Sequence, residues 1–129
     1  RSLLRQPKLY FYDVGLVTGD EGRRLENLVA VCLQKRLSFL EDGDGTARTL
    51  HYLRTKDGRE VDFVTVEGGK PALMVEVKAS DGALTAGLGF FNERYGLPGV
   101  QLVGDLRLET DRGTLAVRRA LPWLSALEA

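Results

Sequence analysis

Glu60-Val61-Asp62-Phe63, a turn at Glu67-Gly68-Gly69-Lys70, and Val75-Glu76-Val77-Lys78 form the stretch on which the reading of this chain depends. Both halves have the composition of strands, yet each carries acids, and the second a lysine, inside an apolar run. Successive side chains of a strand point to opposite faces, so Glu76 and Lys78 share one face and Val75 and Val77 the other. By the same alternation Asp62 shares a face with Glu60 and Val64, opposite Val61 and Phe63. A hairpin closing at 67–70 brings the Asp62 and Glu76 faces together across adjacent strands. Two carboxylates and an amine converging there form either a site or an unusual piece of core.

Upstream of this stretch, Leu25, Leu28, Val29, Cys32, Leu33, Leu37 and Leu40 recur at three-and-four spacing, which predicts a helix over about 21–40. Glu26 borders its apolar face, where a carboxylate needs a partner or a cation. Residues 41–47 read as a loop, and their three acids lack the spacing and closing glutamate of a calcium loop. Thr49–Arg54 reads as a strand, followed by a hairpin turn on Asp57-Gly58. With Glu60–Glu67 and Ala72–Ala79 it makes a three-strand meander. Downstream, Ser80-Asp81-Gly82 caps a second helix over about 83–95, weakened by Gly87 and Gly89. Val100–Gly104 is then a buried strand, reached by a crossover that favours parallel pairing. A last hairpin around Asp111-Arg112-Gly113 and a short helix at Pro122–Leu127 complete the chain. At the other end, Lys8–Asp13 is aromatic and β-prone, an edge strand or an extended segment packed on the core. We therefore expect an α/β fold, a mixed sheet flanked by helices, with 1–19 as an extended segment or linker and 20–129 as the domain proper.

Composition sets the outer limits. The chain has 129 residues, enough for one domain with a sizeable core. Eighteen basic residues balance eighteen acidic ones, so no global charge draws it to nucleic acid or an anionic membrane, although a local basic patch is compatible with that balance. A single cysteine, Cys32, forms no internal disulfide and fits a reducing cytoplasm. No apolar run approaches the ~20 residues that span a bilayer. The start at Arg1-Ser2-Leu3-Leu4 suggests a fragment of a longer protein.

Asp62 and Glu76 on neighbouring strands, with the Val77 carbonyl between them, suit a Mg²⁺ or Mn²⁺ ion, which takes oxygen ligands and keeps several waters. Lys78 is placed to orient or deprotonate an attacking water and to neutralise developing phosphate charge. Glu26 could approach from the helix and hold a water. That set suits metal-assisted phosphodiester hydrolysis. The plainer alternative is a solvated strand face on which Glu76 and Lys78 pair with Asp62, worth little as surface ion pairs. The apolar flanks Ala72–Val75 and Val77 weigh against it, because a central strand buries both faces. Gln101 reads as a polar residue at a sheet end that could contact the site, His51 as a satisfied strand histidine ahead of a catalytic base, and Cys32 as core. With one histidine and one cysteine there is no conventional zinc site, and no glycine-rich phosphate loop is present.

The order Glu26, Asp62, Glu76-Val77-Lys78 resembles the PD-(D/E)XK, or restriction-endonuclease-like, nuclease superfamily, with Val61 where its motif has proline. More narrowly, Lys8-x-Tyr10-Phe11-x-Asp13-x-Gly15-Leu16, Leu25-Glu26-Asn27-Leu28-Val29, Tyr52-x-Arg54, Glu60-Val61-Asp62-Phe63 and Glu76-Val77-Lys78 resemble the uncharacterised C-terminal domain of bacterial and archaeal AAA+-type ATPases. The resemblance implies Asp62 and Glu76 as metal ligands, Lys78 as the catalytic lysine and Glu26 as the helix acid. It also implies an attached ATPase module and a DNA substrate, for which Arg23, Arg24, Arg54, Lys56 and Arg59 are the candidate phosphate contacts. A catalytically inactive nuclease-fold module for DNA or partner binding, or for oligomerisation of the ATPase, is the alternative it leaves.

Overall fold

A computed structural model describes residues 8–11 and 20–128, and the expectations for 1–7 and 12–19 lie outside the described residues. In chain order the elements are β1 (Lys8–Phe11), α1 (Glu21–Asp44), β2 (Arg48–Arg54), β3 (Glu60–Glu67), β4 (Lys70–Lys78), α2 (Ala86–Tyr95), β5 (Gly99–Val103), β6 (Thr110–Arg112), β7 (Leu115–Arg119) and α3 (Ala120–Ala126). The strands form one open mixed sheet in the order β1-β2-β3-β4-β5-β7-β6. β1 to β4 are antiparallel neighbours, and β4, β5 and β7 run parallel. The meander and the parallel crossover through α2 therefore stand as read, and Lys8–Phe11 is an edge strand.

Helix α1 begins where Asp20 accepts a hydrogen bond from the Arg23 N–H at 2.9 Å. It continues through 41–44, where the acids and glycines predict a loop. Gly45, at φ 75°, supplies the left-handed C-cap, and its N–H donates to the Glu41 carbonyl at 2.7 Å. The Glu41 and Asp44 carboxylates then receive Arg48, so the acids that looked like loop residues close the helix onto β2. The second helix starts later than expected. Thr85, not Ser80–Gly82, is its N-cap, while Asp81 accepts from the Ala83 N–H in a local turn. The last hairpin is also shorter, because only Thr110–Arg112 pairs with β7 and 104–109 is irregular.

Two apolar clusters sandwich the sheet. Val29, Ala30 and Leu33 of α1 and Ala120 and Leu124 of α3 cover Leu50, Phe63, Val75, Val100 and Leu102 on one face. Leu88 and Phe91 of α2 cover Leu53, Val61, Val64, Met74 and Leu115 on the other. Val61 and Phe63 thus lie on opposite faces, where strict alternation had placed them together. The cause is a register shift between β2 and β3 at His51–Leu53, a bulge that rotates the strand beside Asp62. Among the described residues no helix is long and apolar enough to cross a membrane.

Candidate active site

The ladder between β3 and β4 runs from Glu67–Lys70 back to Phe63–Val75 and stops there. Beyond that point side chains replace the backbone partners. The Asp62 N–H donates to Glu76 Oε1 at 2.8 Å, and the Val77 N–H donates to Asp62 Oδ2 at 2.9 Å. Each strand therefore lends a carboxylate to the other's backbone, and the two carboxylates sit where the sheet opens. Without them both N–H groups would be stranded in a half-buried gap, at a cost comparable to a lost hydrogen bond.

The electrostatics of this interlock are strained. Burial pushes Asp62 above the usual carboxylate range, opposed by the Val77 N–H and by the nearby Lys78 charge. Glu76, only 8 % exposed, is pushed up to about 7 by burial first and the Asp62 charge second. Two desolvated carboxylates side by side cannot both ionise cheaply, which is why Glu76 is held above its ordinary range. Glu26, half-buried on α1, is raised by burial and then by the Asp62 charge, with Arg23 opposing and Glu60 adding to the rise. Its field thus reaches the same cluster from the helix side.

The sequence-predicted residues separate clearly on this geometry. Asp62 and Glu76 are in contact, Lys78 follows on β4 within electrostatic reach of Asp62, and Glu26 approaches from α1. Among the described residues no three acids, histidines or cysteines form a group that could hold a metal ion, so the protein's own contribution is the carboxylate pair. Two carboxylates are what a hard divalent cation commonly takes from protein, substrate oxygens and water completing its shell. A cation would also supply the counter-charge the pair lacks. The donor chemistry therefore fits Mg²⁺ or Mn²⁺.

Arg23 and Arg24 are exposed in the first turn of α1, and Arg54, Lys56 and Arg59 are exposed at the β2–β3 turn. Arg54 reaches Glu60 at 3.5 Å, and Arg59 pairs with Asp57 at 2.6 Å while lying 4.1 Å over the Phe90 ring. The Thr49 hydroxyl lies 2.8 Å from His51 Nε2, and burial lowers the His51 pKa. Cys32 is partly buried beside a cleft of about 210 Å³ between α1 and α3, which shares no residue with the carboxylate cluster.

Gln101 and Thr85 support the site from β5 and the start of α2. Gln101 is not at a sheet end: it is fully buried in the middle of β5, in register with Glu76. Its Oε1 accepts from the Thr85 N–H at 3.1 Å, and its Nε2 donates to the Ala83 and Asp81 carbonyls at 2.8 and 3.1 Å. It fixes the loop that delivers Thr85, whose hydroxyl opposes the rise in the Glu76 pKa. A glutamine inside Val100-Gln101-Leu102-Val103 was the available signal.

The family described as a domain of unknown function, DUF4143, matches residues 21–117, and the chain belongs to it. That membership is consistent with a C-terminal domain of ATPase-like proteins. No curated protein and no solved structure matches the chain.

Proposed function

We propose that this member of the DUF4143 family is a metal-dependent phosphodiesterase domain of the PD-(D/E)XK, restriction-endonuclease-like type, acting on DNA and attached to an AAA+-type ATPase. The observation that carries the reading is the Asp62–Glu76 interlock at the opening of the sheet, with Lys78 next on the same strand face. Asp62, Glu76 and the Val77 carbonyl would hold Mg²⁺ or Mn²⁺, which when bound supplies Lewis acidity toward a phosphate oxygen and a more acidic water. Lys78 orients the attacking water and offsets the negative charge that develops on the phosphate. Glu26, with its raised affinity for protons, takes the water's proton from the helix side. Arg23 and Lys56 on the rim contact the backbone of the substrate, and Arg54 and Arg59 join them by exchanging Glu60 and Asp57 for phosphate.

The test is calorimetry and DNA cleavage with the full-length protein, with and without ATP. Mg²⁺ or Mn²⁺ binds the wild type and not Asp62→Ala; absence of binding to the wild type sinks the proposal. A second reading is favoured by one specific observation, that among the described residues the acids fall short of a three-residue metal group. On that reading the domain is an inactive nuclease-fold module for DNA or partner binding. DNA binding that is unchanged by Lys78→Ala, with no strand scission under either metal, selects it.

A further inference from the structure

The outward face of α1 carries opposite charges, Arg24 and Asp42, at positions symmetric about its middle. Leu33 points into the core with Val29 and Ala30. At 3.6 residues per turn, Arg24, Leu28, Val31, Lys35, Ser38 and Asp42 lie within about 40° of the direction opposite Leu33. All six are exposed, with Leu28 and Val31 at 41 % and 43 % and Phe39, at the edge of the stripe, at 68 %. A base near the N-terminus and an acid near the C-terminus is the opposite of what the helix dipole favours, and the last turn has no basic residue at all. Nor does the rest of the molecule account for it, since among the described residues neither Arg24 nor Asp42 has an ion-pair partner.

We propose that α1 is a self-association face, on which the α1 of a second copy lies antiparallel across a two-fold axis beside Leu33. The pairs 24 and 42, 28 and 38, and 31 and 35 share one midpoint in the sequence, so a single axis brings all three into register. Arg24 then meets the partner's Asp42, Leu28 packs beside the partner's Ser38, and the Lys35 methylene stem covers the partner's Val31. An acidic partner would match one end of the stripe and a basic partner the other. A reversed copy of the same stripe matches both ends at once, and that charge complementarity selects the occupant. The helix has 24 residues and is about 36 Å long. A single face of that length is small among stable interfaces, so the dimer is weak and concentration-dependent. The inference does not rest on the proposed chemistry.

Sedimentation velocity of the full chain over a concentration series at low salt is the test. We expect a monomer–dimer equilibrium. Arg24→Asp and Asp42→Arg each weaken it about ten-fold, because both symmetry-related ion pairs become repulsive. The double variant Arg24→Asp/Asp42→Arg returns dissociation to within a few-fold of wild type. Val31→Lys, which sets a like charge against the partner's Lys35, abolishes the dimer without loss of helix signal when sedimentation and circular dichroism are read in parallel. A chain that stays monomeric throughout, a dimer indifferent to both single reversals, or a double variant as weak as the singles overturns the proposal. So does a monomer whose α1 stripe is covered by an attached ATPase module.

Discussion

The two ends of β3 handle carboxylates in opposite ways. At the far end Glu67 and Asp44 both meet Arg48, whose guanidinium makes bonds of 2.7 Å to Glu67 and 2.7 and 2.8 Å to Asp44, with its side chain 10 % exposed. Asp44 is held well below the usual carboxylate range, chiefly by those hydrogen bonds. At the near end, five residues along the same strand, Asp62 has no arginine partner among the described residues. Its close neighbours are Glu76 and a backbone N–H, and both acids are pushed upward. The far end is a satisfied ion pair joining α1, β2 and β3. The near end is two acids kept short of counter-charge beside Lys78, the pattern expected where a site is prepared for something it must bind.

The largest effect should come from Lys78, whose charge acts on Asp62 at the near end. Lys78→Ala should reduce metal-dependent cleavage by about 10²–10⁴-fold and leave the thermal midpoint nearly unchanged, because the interlock between Asp62, Glu76 and Val77 does not use the lysine. Cleavage of a DNA substrate and a melting curve on the same preparation check both halves. A large fall in the midpoint would mean that Lys78 is to the near end what Arg48 is to the far end, a structural counter-ion, and the contrast would collapse.

The next effect is on stability, and its sign is the informative part. The Glu76 pKa in the folded chain, about 7, lies above its ordinary 4.5, so between those values the folded chain binds more protons than the unfolded one. Stability from this group is therefore fully present below about pH 4.5 and is lost as pH rises through about 7. Glu76→Gln keeps an oxygen to accept the Asp62 N–H and removes the charge. It should raise stability at pH 8 by on the order of 1–3 kcal/mol and flatten the pH profile in denaturant titrations. Mg²⁺ should flatten the wild-type profile as well, and should do nothing for the variant.

How much of this was readable in the sequence differs between the two ends for physical reasons. Asp62, Glu76 and Lys78 were visible because charge inside an apolar strand is costly, and Glu26 because helical phase places it against the sheet. The face assignment of Val61 was not, since the bulge belongs to the pairing with β2 and leaves no mark on β3 alone. Gly87 reads as a helix weakener, yet a Cβ there would collide with the Glu60 carbonyl oxygen. The glycine is what lets α2 approach the near end closely. At the far end the acids of 41–44 looked like a solvated loop, because their partner Arg48 lies beyond the helix stop at Gly45. Likewise composition located Arg54 and Arg59 but not the acids that occupy them.

The smallest predicted effect returns to that far end and reverses the sign. Asp44→Asn removes a charge, as Glu76→Gln does, but from a group whose folded pKa is depressed. A depressed carboxyl contributes stability above its ordinary value of 3.8 and loses it as pH falls below that. The amide should therefore lower the thermal midpoint at pH 7, where the Glu76 amide raises stability. The loss should be modest because Asp44 is solvent-exposed and Arg48 keeps Glu67. It should also shrink in high salt, which screens an exposed pair more than a buried one. If both amides shifted stability in the same direction, the two ends would share one electrostatic logic. Glu76 would then not be a carboxyl whose ionised form the fold disfavours, and no deficit of counter-charge would be left for a cation to fill.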